Sequence, residues 1–232
     1  MLPATSTRSD RALQVERLRG KVGLYFVAAL SVLAGMTDAI GFMATGDFVS
    51  FMSGNTTRLA VSLGQGELGL VLRIGALLLA FVVGNALGVL IARKSGRRPW
   101  PLLTIIAALL ALAGLLPSAW QLPALIAAVT AMGMINVVVE EVNGLPIGLT
   151  YVTGALSRFG RGLGRTLLGE RRHGWRVQLI PWTGMFAGAI AGVLLEQAFD
   201  LAALLFSALL ALALGVVSVK IPRRWQLRYM PR

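Results

Sequence analysis

One nine-residue pattern occurs twice in this chain, one hundred residues apart. Residues 51–59 are Phe-Met-Ser-Gly-Asn-Thr-Thr-Arg-Leu, and residues 151–159 are Tyr-Val-Thr-Gly-Ala-Leu-Ser-Arg-Phe. Each copy has an aromatic residue, an apolar residue, a hydroxyl, glycine, a hydroxyl at the seventh place and then arginine. An internal repeat of this kind predicts a fold built from two related halves.

The composition predicts a membrane protein and excludes several kinds of chemistry. Of 232 residues, 56% are hydrophobic and 14% are charged, and the mean hydropathy is +0.74. Polytopic membrane proteins have such a composition, and soluble domains rarely do. Cysteine is absent, which excludes disulfides, thiolate metal sites and cysteine nucleophiles. With one histidine, His173, a histidine-based metal site is not expected either. No catalytic motif is present, and no cofactor or catalytic residue is predicted.

The net charge of +12 is distributed in blocks rather than over one face. Twenty of the twenty-two basic residues fall in four clusters, at 8–21, 93–98, 158–176 and 220–232. Only Arg58 and Arg73 lie outside them. Short basic blocks that alternate with apolar runs follow the positive-inside rule, so we expect membrane lipid and not nucleic acid as the partner.

Eight apolar segments follow one another, and two of them are too short and too polar to be ordinary spans. The segments are 22–44, 48–64, 70–92, 100–116, 122–139, 145–164, 177–195 and 201–219. If 48–64 and 145–164 enter the membrane and return on the same side, every basic cluster lies in the cytoplasm. The outer loops then carry Asp47, Glu67, Glu196 and Asp200.

The predicted fold is therefore an all-α integral membrane protein with six transmembrane helices and two re-entrant, broken-helix segments. Each half contributes three spans, and because three is odd, the second half is inverted relative to the first. Both termini are expected in the cytoplasm of a bacterial cell, with the spans in the inner membrane. The predicted parts are a basic tail at 1–20, a first membrane repeat at 21–117, a second at 118–220, and a basic tail at 221–232.

The repeat continues on both sides of the short segments. Gly35-Met-Thr-Asp38 precedes the first, and Gly133-Met-Ile-Asn136 precedes the second. A Gly-x-x-x-Gly pair follows each, at residues 84–88 and 188–192. Small residues four apart lie on one helix face, which predicts close helix–helix packing.

The polar residues of the repeat are the candidate site. Asp38 lies inside an apolar run and is either a proton or cation relay, a substrate contact, or the ion-pair partner of Arg58. The run Ser-Gly-Asn-Thr-Thr at 53–57 predicts a turn and a helix start, whose N-terminus favours an anion. The predicted substrate-binding residues are Asp38, Ser53, Asn55, Thr56, Thr57, Arg58, Thr153, Ser157 and Arg158. Alternatively, caps and arginines only satisfy the broken backbone.

Residues 34–39, Ala-Gly-Met-Thr-Asp-Ala, followed by residues 46–59, resemble the signature of the YoaK family of bacterial inner-membrane proteins. The Phe-Val-Ser-Phe-Met-Ser-Gly-Asn-Thr-Thr block is its specific part, and the resemblance covers roughly residues 20–220. It implies a polytopic bacterial membrane protein of a family sometimes described as transporters. It implies no substrate, reaction or catalytic residues. Ala155 stands where the first copy has Asn55, so equal roles for the two halves do not follow.

These observations predict a small secondary transporter or channel for a small solute, with an anion among the candidates, bound near the midplane between the repeats. A homo-oligomer is left open, and no enzyme activity is expected. The alternatives are a membrane-embedded enzyme acting on a lipid, with Asp38 or the Glu140–Glu141 pair as acid or base, and a scaffold that transports nothing.

Overall fold

The structure is a computed structural model that describes residues 10–142, 145–146, 149–170 and 174–230. Most of the described chain is helical. The α-helices are α1 Asp10–Thr45, α2 Met52–Gln65, α3 Leu68–Lys94, α4 Pro99–Leu115, α5 Gln121–Ile135, α6 Val152–Leu167, α7 Leu179–Phe199, α8 Leu204–Val219 and α9 Arg223–Tyr229. The strands β1 Glu141–Val142 and β2 Leu145–Pro146 form a short antiparallel hairpin.

Glycines bring α1 and α7 into backbone contact. A Cβ atom on Gly35 would clash with the carbonyl oxygen of Met185, and one on Gly188 would clash with that of Val32. One turn further along, a Cβ on Gly192 would lie 2.5 Å from the carbonyl oxygen of Met36. The residue numbers at these contacts rise in the same direction along both helices, from Val32 with Gly188 to Met36 with Gly192, so α1 and α7 run parallel.

The pair formed by α3 and α5 has the same construction. A Cβ on Gly84 would clash with the carbonyl oxygen of Thr130, and one on Gly133 would lie 2.5 Å from that of Phe81. Gly88 faces Met134 and Val137, so these helices also run parallel. The packing role predicted for both Gly-x-x-x-Gly pairs is confirmed.

The helices α4 and α8 pack against each other and join the two pairs. Here α4 also contacts α5, and α8 also contacts α1. The side chains that fill the space between them are fully or nearly fully buried: Leu102, Leu103, Ile106, Leu110, Leu204, Ala208, Ala211 and Leu214.

The short helix α9 ties several chain ends together. The Tyr229 hydroxyl donates to the carbonyl oxygen of Arg19 at 2.7 Å, and the Glu140 amide donates to the carbonyl oxygen of Tyr229 at 2.8 Å. Arg97, in the turn between α3 and α4, donates to the carbonyl oxygen of Met230 at 2.6 Å. The beginning of α1, the ends of α3 and α5 and the C-terminal segment therefore meet at one end of the molecule.

Three local features differ from the sequence prediction. The basic tail is helical from Asp10 and continues into the first apolar run, giving one 36-residue helix. The fifth apolar segment stops being helical at Ile135 and leads into the β-hairpin. A helix, α9, forms in the C-terminal tail. Its capping contacts are made with distant parts of the chain, which no local pattern reveals.

Within the described residues, four continuous helical runs are long and apolar enough to cross a membrane: Leu18–Thr45, Leu68–Lys94, Ser118–Ile135 and Trp175–Val219. The last, at 45 residues, contains both α7 and α8, which meet at a short 3₁₀ turn over residues 200–203. The 17-residue α4 is apolar but shorter.

Candidate functional site

The chain reverses direction after α1 and lies back against it. Residues 46–51, here called the return segment, are followed by α2, which ends at Gly66 in the left-handed conformation. Gly41 of α1 permits this course because Val49 packs directly onto it, where a Cβ atom would clash. We call the return segment and α2 together the first hairpin.

Asp38 anchors the return segment. Its Oδ1 atom accepts hydrogen bonds from the backbone N–H groups of Val49 at 2.8 Å, Ser50 at 2.5 Å and Phe51 at 3.3 Å. The side chain is 8% exposed, and the start of α2 lies next to it, so the helix dipole adds favourable potential. Three N–H donors on one carboxylate oxygen show that Asp38 stabilises the reversal.

The ion pair that the sequence suggested between Asp38 and Arg58 is wrong. Arg58 instead donates to Asp47 Oδ1 at 2.7 Å and to the carbonyl oxygen of Gly46. Arg73 of α3 reaches the other carboxylate oxygen of Asp47, with Nε and Oδ2 2.5 Å apart. Asp47, expected in an outer loop, is fully buried between these two arginines.

Arg73 is a residue of this site that the sequence analysis did not select. Its position in the sequence could have identified it, because Arg58 and Arg73 are the two basic residues that lie outside the four basic clusters. Two isolated arginines in apolar surroundings need an acidic partner. What the sequence could not show is that one carboxylate serves both.

Asn55 closes the turn at the start of α2. Its side chain accepts from the Phe48 amide at 3.2 Å and donates to the Phe48 carbonyl oxygen at 2.7 Å, and it is completely buried. The ring of Phe48 stacks on Phe42 with centroids 4.6 Å apart and meets Phe51 edge-on at 5.1 Å. Gly54 lies beneath these rings, and a Cβ there would come within 2.5 Å of Phe51.

The second hairpin, α6 with the residues before it, is held differently. Asn136, at the place of Asp38, accepts one hydrogen bond from the Thr150 hydroxyl at 3.0 Å. Arg158, at the place of Arg58, donates to the side-chain oxygen of Gln178 at 2.8 Å. Ala155 is buried where Asn55 is buried in the first hairpin. The second hairpin therefore has neutral partners where the first has carboxylates.

The hydroxyl residues of the candidate site lie on exposed faces. Thr56 donates to the carbonyl oxygen of Met52 at 2.8 Å, and Thr57 to that of Ser53 at 3.2 Å, both within α2. Each hydroxyl oxygen keeps its acceptor capacity. The exposed candidates are Ser53, Thr56 and Thr57 on α2, with Thr153 and Ser157 on α6. Residue by residue, burial along 51–60 matches burial along 151–160.

The remaining acidic candidates do not join this site. Glu140 and Glu141 are exposed at the β-hairpin, at the end of the molecule that carries α9. Among the residues that the structure describes, no three histidine, aspartate or glutamate side chains are grouped closely enough to share a metal ion. His173 lies outside the described residues.

Long apolar helices in glycine-mediated contact, with their polar groups paired at chain reversals, define an all-α, multi-pass membrane protein. The chain belongs to the family described as "Protein of unknown function (DUF1275)", which matches residues 26–217. It is also 53% identical over 217 residues to a UPF0700 transmembrane protein of Rhizobium meliloti (strain 1021), covering 93% of this chain and 95% of that protein. No solved structure matches the chain.

Proposed function

We propose that α1, α3, α4, α5, α7 and α8 each cross the membrane and that both hairpins are re-entrant. The parallel pairs α1–α7 and α3–α5 support this, because parallel helices must begin on the same side. With the start of α1 in the cytoplasm, the clusters at 93–98, 158–176 and 220–232 are then cytoplasmic too, as the positive-inside rule favours. The 45-residue run 175–219 contributes two crossings that meet at Asp200.

The two halves are, in this proposal, inverted repeats. The supporting observation is that equivalent glycines make equivalent contacts: Gly188 meets Val32 as Gly84 meets Thr130, and Gly35 meets Met185 as Gly133 meets Phe81. When the two halves are exchanged, each of these glycine contacts is replaced by its equivalent. A two-fold axis between the halves produces such a contact pattern. Such repeats with broken helices are a recurring transporter design.

The function we propose is secondary transport or channel conduction of a small solute, an anion being the first candidate. One observation carries it: α2 and α6 expose hydroxyl residues at two equivalent places, Ser53 with Thr57 and Thr153 with Ser157, and an arginine follows in each. Polar groups facing lipid are costly, so these faces require water, solute or protein against them. A homo-oligomer would enclose them. The resemblance to the YoaK family supports the same proposal.

The structure changes the roles we assign within that proposal. Asp38, Asn55 and Arg58 hold the first hairpin in place, and Arg158 holds the second through Gln178. Solute contact then falls to the exposed residues Ser53, Thr56, Thr57, Thr153 and Ser157, the last of which also accepts a hydrogen bond from Arg161 at 2.9 Å. The helix N-termini beside them supply positive potential for an anion.

A flux assay tests the proposal. Purified protein in liposomes is assayed for chloride, acetate and phosphate flux, and Thr56→Val combined with Thr57→Val is expected to lower the flux at least tenfold, since a valine cannot hydrogen-bond a solute. Thr104→Val is the matched control, because Thr104 is exposed on α4 and makes the same bond, to the carbonyl oxygen of Trp100. Absence of all three fluxes would reject an anion pathway.

The orientation has a separate test, because the chain contains no cysteine. Single variants Glu67→Cys and Ser95→Cys place one thiol at each end of α3. In a bacterial host, an impermeant maleimide should label the first in intact cells and the second only after lysis. The reverse labelling would refute cytoplasmic termini and inner-membrane sidedness as proposed.

A transport-inactive scaffold is the second candidate function. It is favoured by one observation, namely that Asp38, Asn55, Asp47 and Arg58 are all occupied by contacts that hold the first hairpin against α1 and α3. The lipid-modifying enzyme is less favoured, because Asp38 is an acceptor of three backbone hydrogen bonds and the Glu140–Glu141 pair is remote from it. Wild-type flux that exceeds empty liposomes would exclude the scaffold.

A further inference from the structure

Three arginines from two distant parts of the chain converge at the end of the molecule that carries α9. Arg223 of α9 donates to the carbonyl oxygen of Arg97 at 2.5 Å and to that of Gly96. Arg97 in turn donates to the carbonyl oxygens of Leu227 at 2.7 Å and Met230 at 2.6 Å. Arg98 follows directly and is exposed. We call Arg97, Arg98 and Arg223 the arginine cluster.

The charge of the cluster is not compensated within the described part of the chain. Its guanidinium groups donate to neutral carbonyl oxygens and to the Gln226 side chain, and none pairs with a carboxylate there. The pKa of Arg223 is lowered from its ordinary value, first by desolvation and then by the charges of Arg98 and Arg97. Like charges held this close favour a negatively charged partner.

Tryptophans and exposed leucine lie beside the cluster. Trp100, two residues after Arg98, is 43% exposed, and Trp225 of α9 is half-buried against the core. Tryptophan is enriched at the level of lipid headgroups. Leu90, on the last turns of α3, is 56% exposed. A ligand with a negative headgroup and an acyl chain would contact both surfaces, whereas a free anion would use only the first.

We propose that the arginine cluster binds the phosphodiester headgroup of an anionic phospholipid from the cytoplasmic leaflet. Clusters of basic residues on the cytoplasmic side of membrane helices attract such headgroups. Arg98 supplies the free guanidinium, since it donates to no other described residue, while Arg97 and Arg223 supply charge from fixed positions. The proposal rests on the membrane arrangement given above, and not on transport.

The test measures lipid binding to the purified chain in neutral detergent by thermal unfolding and by native mass spectrometry. Phosphatidylglycerol is titrated against phosphatidylcholine, with inorganic phosphate as a third arm. Phosphatidylglycerol should raise the melting temperature of the wild type, since a ligand of the native state stabilises it. Phosphatidylcholine and inorganic phosphate should raise it far less.

Arg98→Gln is the informative variant because Arg98 makes no hydrogen bond that its loss would break in the described structure. It should weaken phosphatidylglycerol binding about fivefold, the contribution of one basic residue near a membrane surface. Arg98→Lys should keep most of the binding. Arg165→Gln removes the same charge from the exposed face of α6 and should bind like the wild type.

Equal shifts with phosphatidylcholine, or an equal shift with inorganic phosphate alone, would overturn the proposal. So would identical phosphatidylglycerol binding by Arg98→Gln and the wild type. The cysteine labelling at residues 67 and 95 reports the membrane arrangement separately. Correct sidedness with no lipid preference would therefore count against the lipid site only.

Discussion

Replacing Asp38 with alanine removes the acceptor on which the return segment depends. Val49 and Ser50 are buried, at 0% and 2% exposure, so water cannot replace the lost hydrogen bonds at their N–H groups. Each buried donor left without a partner costs about 1–3 kcal/mol. Phe51 is 36% exposed and its bond is long, at 3.3 Å, so water can replace this bond and its loss adds little. Asp38→Ala should therefore lower the free energy of unfolding by about 2–6 kcal/mol.

Asp38→Asn separates the acceptor from its charge. The amide oxygen can still accept the same N–H groups, but a bond to a neutral acceptor is roughly half as strong as one to a carboxylate. We expect a loss of about 1–2 kcal/mol. Asn136→Ala is the matched control in the second hairpin. It loses the bond from the Thr150 hydroxyl and the longer bond that Asn136 donates to the carbonyl oxygen of Met132 at 3.3 Å, with an expected cost of about 1–2 kcal/mol.

Two assays read the result. Unfolding by sodium dodecyl sulfate in mixed micelles gives the free energies, and Ser50→Cys in a chain without other cysteines reports whether the return segment has detached. Maleimide should react slowly with this thiol when Asp38 is present. It should react much faster when Ser50→Cys is combined with Asp38→Ala. The anchoring argument is refuted if the free energy of unfolding of Asp38→Ala lies within about 1 kcal/mol of that of the parent and the thiol is still protected. Lost flux in a fully stable Asp38→Asn would instead indicate a titrating relay.

Further changes test the rest of the first hairpin and the helix pairs. Asn55→Ala should cost about 1–3 kcal/mol, less than Asp38→Ala, because the two backbone groups that lose a partner belong to the half-buried Phe48 and water can replace part of the loss; thermal unfolding will measure it. Asp47→Asn should cost about 3–5 kcal/mol, because two arginines then share an uncharged partner; a melting temperature unchanged by this variant would contradict the geometry. Gly188→Leu should separate α1 from α7 and prevent stable expression. Gly64→Ala is the control and should express normally, because nothing lies within 4 Å of the added atom. Fluorescence-detected size exclusion measures both.

The sequence determined the apolar helices and the glycine-bearing faces on which they pack closely. Apolar runs of span length and Gly-x-x-x-Gly spacing are local patterns, and each acts through the face of a single helix. The recurrence at 51–59 and 151–159 likewise identified both hairpins, because turn-forming and capping residues act on neighbouring backbone groups. These features needed no knowledge of which helices are neighbours.

The tertiary structure alone decided which charge meets which partner. Asp38 and Asp47 were equally available to Arg58 in sequence, and the choice depended on the course of the return segment along α1. That course puts the amides of residues 49–51 at Asp38 and leaves Asp47 to Arg58 and to Arg73, which is 26 residues further along the chain. Buried charges are sensitive to displacements of a few ångströms, and such displacements are set by packing between elements rather than by any local pattern.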